Sequence, residues 1–134
     1  SALAASSALE MVPHLPDLLR GLKITLASPA SAQAAQAEVG LTGVHLALVY
    51  SGTLVEAGSP EELTASLLPP VHVALIPGKS LVYGVDEALE FYGRRRPERM
   101  VFITGPSRTA DIELTLVIGV HGPGRVQAVL LDYF

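Results

Sequence analysis

Apolar positions along this chain gather into short, nearly unbroken runs separated by glycine, proline and serine. Runs that are apolar throughout, instead of alternating in and out, are what strands covered on both faces require. Residues 23–27, 44–50, 53–56, 71–76, 100–104 and 126–131 read as such strands. Between them lie stretches of helical composition or spacing: 30–39, stopped by Gly40, then 59–68, 86–92 and 107–117. In the last of these Ile112, Leu116 and Gly119 fall roughly on one face. The 59–68 helix has the clearest start. Ser59 can cap it, Pro60 suits the first helical position, and Glu62 stands third, as a capping box requires. Residues 1–20 are Ala/Ser-rich and then punctuated by Pro13 and Pro16, which predicts an arm or a proline-broken helical segment. Residues 21–134 read as one α/β domain. Alternating strands and helices predict a three-layer α/β/α sandwich with a largely parallel sheet.

Composition narrows this further. A length of 134 residues fits one domain, and 49 % apolar against 16 % charged residues is enough to bury a core. With no Trp and few other aromatics, that core must be aliphatic. The formal net charge of −4 argues against a nucleic-acid partner, since such proteins show a basic surplus on one face. The absence of cysteine excludes disulfides, thiolate nucleophiles, Cys-ligated zinc and Cys-ligated iron–sulfur clusters within the chain. No apolar run approaches the roughly 18 residues that span a bilayer. No positive residue precedes the apolar start, so a signal peptide is not expected either, and a cytoplasmic place is. A start without Met reads as trimmed or incomplete.

Candidate chemistry concentrates between Phe102 and Pro123. The run Thr104-Gly105-Pro106-Ser107-Arg108-Thr109-Ala110-Asp111-Ile112-Glu113 ends a strand on Gly-Pro, adds a hydroxyl cluster, and opens a helix with two carboxylates. Gly119-Val120-His121-Gly122-Pro123 follows it. A strand-to-helix turn with free backbone N–H groups and hydroxyls is a ready anion site, and the helix dipole adds to it. In open α/β sheets ligands sit at such carboxyl ends of strands. Ordinary helix capping by Ser107 or Thr109 is the competing reading.

From 105 to 123 the sequence resembles the C-terminal signature of the lactate-utilisation protein C family, the LUD domain. Gly40-Leu41-Thr42-Gly43 and Ser51-Gly52-Thr53-Leu54-Val55 are similar to that family's paired Thr-Gly and Thr-Gly-Thr segments, and Ser66-Leu67-Leu68-Pro69 precedes a strand as it does there. The resemblance covers about 40–131. It implies the fold shared by sugar-phosphate isomerases, CoA transferases and formyltetrahydrofolate cyclo-ligase-like proteins. It also implies a part in L-lactate oxidation to pyruvate, beside partner proteins that carry the iron–sulfur clusters this cysteine-free chain cannot. Two departures stand out. Tyr50 replaces the acidic residue usual before Thr-Gly-Thr, and Glu62-Leu63 stands where an arginine is usual before Ser-Leu-Leu-Pro.

The candidate ligand-binding residues are therefore Gly105, Ser107, Arg108 and Thr109, with Gly52 and Thr53 placed by the resemblance. Asp111, Glu113 and His121 are the catalytic candidates. Residues two apart on a helix diverge by about 200°, so Asp111 and Glu113 cannot share one site, and Asp111 lies nearer the helix start. His121 sits in a Gly/Pro loop able to reach a cleft. His45 and His72 alternate within apolar strands, which points to a satisfied core or edge role, and His14 suggests nothing. Arg94 to Arg96 reads as a solvated turn. No pair of histidines or carboxylates has metal-ligand spacing, so no metal is expected. Three functions stay open: a subunit or accessory protein of L-lactate oxidation with a small-anion site, a stand-alone enzyme acting on a phosphorylated, CoA-linked or folate substrate, and a non-catalytic interaction module.

Overall fold

Residues 1–106 and 122–132 are described by the computed structural model. In chain order their elements are β1 (Ala2–Ala4), α1 (Ser6–Met11), α2 (Leu15–Gly21), β2 (Leu26–Ala27), β3 (Val39–Gly43), β4 (Leu46–Leu48), β5 (Thr53–Gly58), α3 (Pro60–Leu67), β6 (Val71–Pro77), β7 (Leu81–Val82), α4 (Val85–Arg95), β8 (Arg99–Ile103) and β9 (Arg125–Leu131). Short 3₁₀ turns occupy Ala32–Gln36 and Gly78–Ser80. The larger sheet has the order β2-β1-β3-β6-β9, and every neighbouring pair in it is parallel. With helices packed against it, the chain has the expected three-layer α/β/α form with a mostly parallel central sheet.

The apolar runs show why. In β1, Ala2 and Ala4 join one buried cluster with Ala8, Leu15, Leu19, Leu41 and Leu75. Leu3 points the other way, into a cluster with Ala5, Ala34, Ala37 and Ala65. A strand buried on both faces has no polar side to show, so its sequence does not alternate. Residues 1–20, read from sequence as an arm or helical segment, hold this inner strand together with α1 and α2.

A second sheet, β7-β4-β5-β8, was not expected, and it is mixed. The β4–β5 and β5–β8 pairs are antiparallel, and the β4–β7 pair is parallel. Its hairpin follows from Gly52, whose φ of +65° suits a tight turn at little steric cost. Residues 44–50 deliver only a short strand, because Val44 and His45 carry the chain from one sheet to the other, with the Val44 N–H donating to the Leu75 carbonyl at 2.8 Å. Val44, Ala47, Leu54, Ala74 and Ile76 form the apolar seam between the sheets. Leu46, Leu48, Val55, Ala88 and Tyr92 seat α4.

Two further expectations change. The helix expected over 30–39 is a 3₁₀ turn followed by β3, since pairing of Val39 with Ala2 and Val71 draws it into the sheet against its local Ala/Gln preference. At α3 the Ser59 side chain accepts from the Glu62 N–H at 3.3 Å as expected, but the Glu62 carboxylate accepts from the Ser7 N–H at 3.4 Å instead of completing a capping box. The helix expected over 107–117 lies outside the described residues. Among the described residues no helix is long and apolar enough to cross a membrane.

Candidate functional site

Three hydroxyls line up where β5 begins and β8 ends. The pairing of Leu54 with Ile103 places Thr53 opposite Thr104 one step further along. The Thr53 Oγ1 lies 2.7 Å from the Thr104 Oγ1 and 2.7 Å from the Ser51 Oγ. Thr53 is buried, whereas Ser51 and Thr104 are exposed. Each hydroxyl carries one proton and two lone pairs, so when Thr53 donates to one neighbour and accepts from the other the row runs in one direction and ends on an outward donor. Hydrogen bonds in such a row polarise one another and strengthen the terminal donor. If the row runs toward Thr104, that donor stands at the turn after β8.

There the chain turns at Gly105, with a φ of +96°. A cleft of about 220 Å³ opens beside it, lined by Thr104 and Gly105 and, from the other end of the motif, by Gly122 and Pro123. Folding therefore brings the two flanks of the 105–123 signature to one place. Gly52 lies at the turn just before Thr53, and a Cβ added there would meet open space. Of the sequence candidates, Gly105, Thr53 and Gly52 thus stand near the hydroxyl row. Ser107, Arg108, Thr109, Asp111, Glu113 and His121 lie outside the described residues.

A second constellation was missed. Thr42 on β3, Glu56 on β5 and His72 on β6 meet in the interior, all buried. The Thr42 hydroxyl donates to the Glu56 carboxylate at 2.5 Å and lies 2.8 Å from the His72 Nε2, while His72 Nε2 and Glu56 Oε1 are 3.4 Å apart. Since the Thr42 proton goes to Glu56, its oxygen is free to accept from a protonated Nε2. The core role expected of His72 is thus realised at Nε2. Its Nδ1 has no hydrogen-bond partner among the described residues, and neither does the buried Tyr92 hydroxyl. Burial pushes the Tyr92 hydroxyl pKa up, the Glu56 carboxylate pushes it further, and Arg95 acts the other way. His45 is exposed, not core, at the passage between the sheets. Arg94 to Arg96 close α4 in solvent, with the Arg95 guanidinium 3.6 Å over the Phe91 ring. Among the described residues no group of three or more His, Asp or Glu is placed to hold a metal ion.

Ser51 and Thr104 were also missed as site residues, although Ser51 stands in the Ser51-Gly52-Thr53 segment and Thr104 directly before Gly105. Nothing in local spacing says that residues 51 apart will share a hydrogen bond.

Residues 25–131 match the family model of the LUD domain. The lactate utilization protein C of Exiguobacterium sp. (strain ATCC BAA-1283 / AT1b) is 40 % identical over 105 residues, covering 73 % of this chain and 46 % of that protein. That of Bacillus subtilis (strain 168) is 38 % identical over 107 residues, covering 75 % of this chain and 45 % of that protein. The chain therefore spans a little under half the length of these curated relatives. A crystal structure of a DUF162 family protein from Deinococcus radiodurans is similar in fold, with a TM-score of 0.60 at 18 % identity over 98 % of this chain and 87 % of that one.

Proposed function

The chain belongs to the LUD domain family, and on that premise we propose that it serves L-lactate oxidation to pyruvate as a subunit or accessory protein in the cytoplasm. In this reading it holds a small carboxylate at the turn after β8. The observation that carries the site is the hydroxyl row ending at Thr104 beside Gly105, where β8 ends at an open cleft. A carboxylate is an acceptor-only group and suits a terminal hydroxyl donor and the backbone of a glycine turn.

Converting L-lactate to pyruvate removes two electrons and two protons from the substrate. A chain without cysteine supplies no thiolate-ligated cluster to take those electrons. Iron–sulfur partner proteins are therefore assigned that part, and this chain the binding and orientation of the substrate or product. The names of the relatives support the pathway, and the chain's coverage of under half their length makes the whole reaction a matter for test.

Two measurements test the reading. Deleting the gene in its own organism is expected to abolish growth on L-lactate while growth on pyruvate continues, and unchanged growth on L-lactate overturns the pathway assignment. Titrating the labelled chain with L-lactate or pyruvate is expected to shift the amide signals of Thr53, Thr104 and Gly105. Thr104→Val removes the outward donor itself and is expected to weaken binding about tenfold, the loss of one charge-assisted hydrogen bond. Shifts confined to other residues overturn the site and leave the pathway assignment to the growth assay.

A further inference from the structure

A larger cleft lies elsewhere. It measures about 570 Å³, within the range of roughly 300–1,000 Å³ typical of small-molecule sites. It opens where β6 ends at Pro77, where the chain turns through Gly78–Ser80, and where His45 leads from β3 to β4. These are the carboxyl ends of two adjacent parallel strands, the edge at which open α/β sheets receive ligands.

Its lining has a definite chemistry. Met11, Val82 and Phe91 give it apolar walls, while Glu10, His45 and Lys79 bring polar groups to the same space. These three polar residues are exposed. Among the described residues neither Glu10 nor Lys79 has an ion-pair partner, although they carry opposite charges and line one cleft. A simple carboxylate would meet Lys79 favourably and Glu10 unfavourably, and a simple amine the reverse. Each would leave one protein charge facing a like charge or uncompensated, and such mismatches discriminate between ligands. A zwitterion satisfies both. Its carboxylate takes the Lys79 ammonium and an N–H of the His45 ring, its ammonium takes the Glu10 carboxylate, and an apolar side chain covers the Met11, Val82 and Phe91 walls.

We propose that this cleft binds an α-amino acid with an apolar side chain. The site is separate from the turn after β8, whose cleft shares none of its lining residues. Lactate does not fit the chemistry as well, since it is small and lacks a cationic group for Glu10.

Isothermal titration of the full chain with L-leucine, L-phenylalanine, 3-phenylpropionate, 2-phenylethylamine and L-lactate tests the proposal. L-Phenylalanine or L-leucine is expected to bind, and the three ligands lacking one charge of the zwitterion to bind at least tenfold more weakly. Lys79→Met is expected to weaken the amino acid at least tenfold while sparing 2-phenylethylamine. Glu10→Gln is expected to do the same while sparing 3-phenylpropionate. Because both positions are exposed, unchanged circular dichroism will show that the variants fold. No binding of either amino acid at millimolar concentration overturns the proposal. So does equal affinity for charged and half-charged ligands, which would follow if Glu10 and Lys79 neutralise each other across the cleft. Amino-acid binding indifferent to both substitutions overturns it as well.

Discussion

Thr42 shows how much one hydroxyl can hold together away from water. It donates to Glu56 and sits within hydrogen-bond reach of His72 in a region with almost no solvent access. Thr42→Val keeps the shape and removes the hydroxyl, leaving Glu56 short of a donor. The expected loss is about 1–3 kcal/mol in urea unfolding, the cost of stranding a buried polar group. Tyr92 is the contrasting case. Its hydroxyl is buried without a partner among the described residues, so Tyr92→Phe is expected to change stability by less than about 1 kcal/mol and in the favourable direction. Burial and the Glu56 carboxylate hold the Tyr92 pKa above its unfolded value. The folded state therefore keeps the phenol proton that the unfolded chain gives up near pH 10, and stability is full below that pH and falls as pH rises through the folded pKa. Unfolding midpoints measured across the alkaline range are expected to fall less steeply in Tyr92→Phe than in the native chain. Parallel slopes would remove Tyr92 from the alkaline response.

At the scale of elements, α3 lies against β3 at a distance set by a missing side chain. A Cβ on Gly40 would stand 1.6 Å from the Ala65 carbonyl oxygen, which is backbone and cannot turn aside. Gly40→Ala must therefore push the helix off the sheet. The expected cost lies at or beyond the upper end of the roughly 1–3 kcal/mol typical of overpacking, read from the unfolding midpoint. At the other end of the comparison, Ser59→Ala removes only the cap of the same helix and is expected to cost about 1 kcal/mol. A ranking of these two variants in the opposite order would mean that α3 is held by its own start and not by contact with β3. Helix start signals such as Ser59-Pro60 are local, and they survive folding nearly unchanged. The Ala/Gln stretch at 32–36 is also locally helical, yet it is too short and too close to β3 to extend beyond a 3₁₀ turn.

Across the whole molecule, the first strand lies inside the larger sheet. Residues Ala2, Leu3 and Ala4 pair with β3 on one side, and Ala2 and Leu3 pair with β2 on the other. Removing residues 1–20 takes away that strand, α1 and all of α2 but its last residue, and exposes the core that Leu15 and Leu19 cover. Residues 21–134 alone are expected to lose cooperative thermal unfolding, and a sharp transition in the truncated chain would show that the remaining sheet closes without β1. Leu3→Ala is the milder version. As a fully buried residue Leu3 is expected to cost about 2–5 kcal/mol on truncation, and a value near zero would mean that β1 contributes little to the sheet.

Local pattern determined the class of this protein: short apolar runs, helix starts and glycine-proline stops marked most of the strands and the α3 and α4 helices, because those signals act over a few residues. The motif between 105 and 123, with the paired Thr-Gly segments, also carried the family, since those residue strings are read without any fold. Only the tertiary structure decided that β1 lies between β2 and β3, that β4 leaves the parallel sheet to form a second one, and that Thr53 bonds to Thr104. It alone brought Thr42, Glu56 and His72 together across separations of 14 and 30 residues. The physical reason is range. A cap or a turn is settled by neighbours in sequence, whereas strand order and buried polar contacts depend on which apolar faces close on one another, and an apolar run is equally apolar beside any partner.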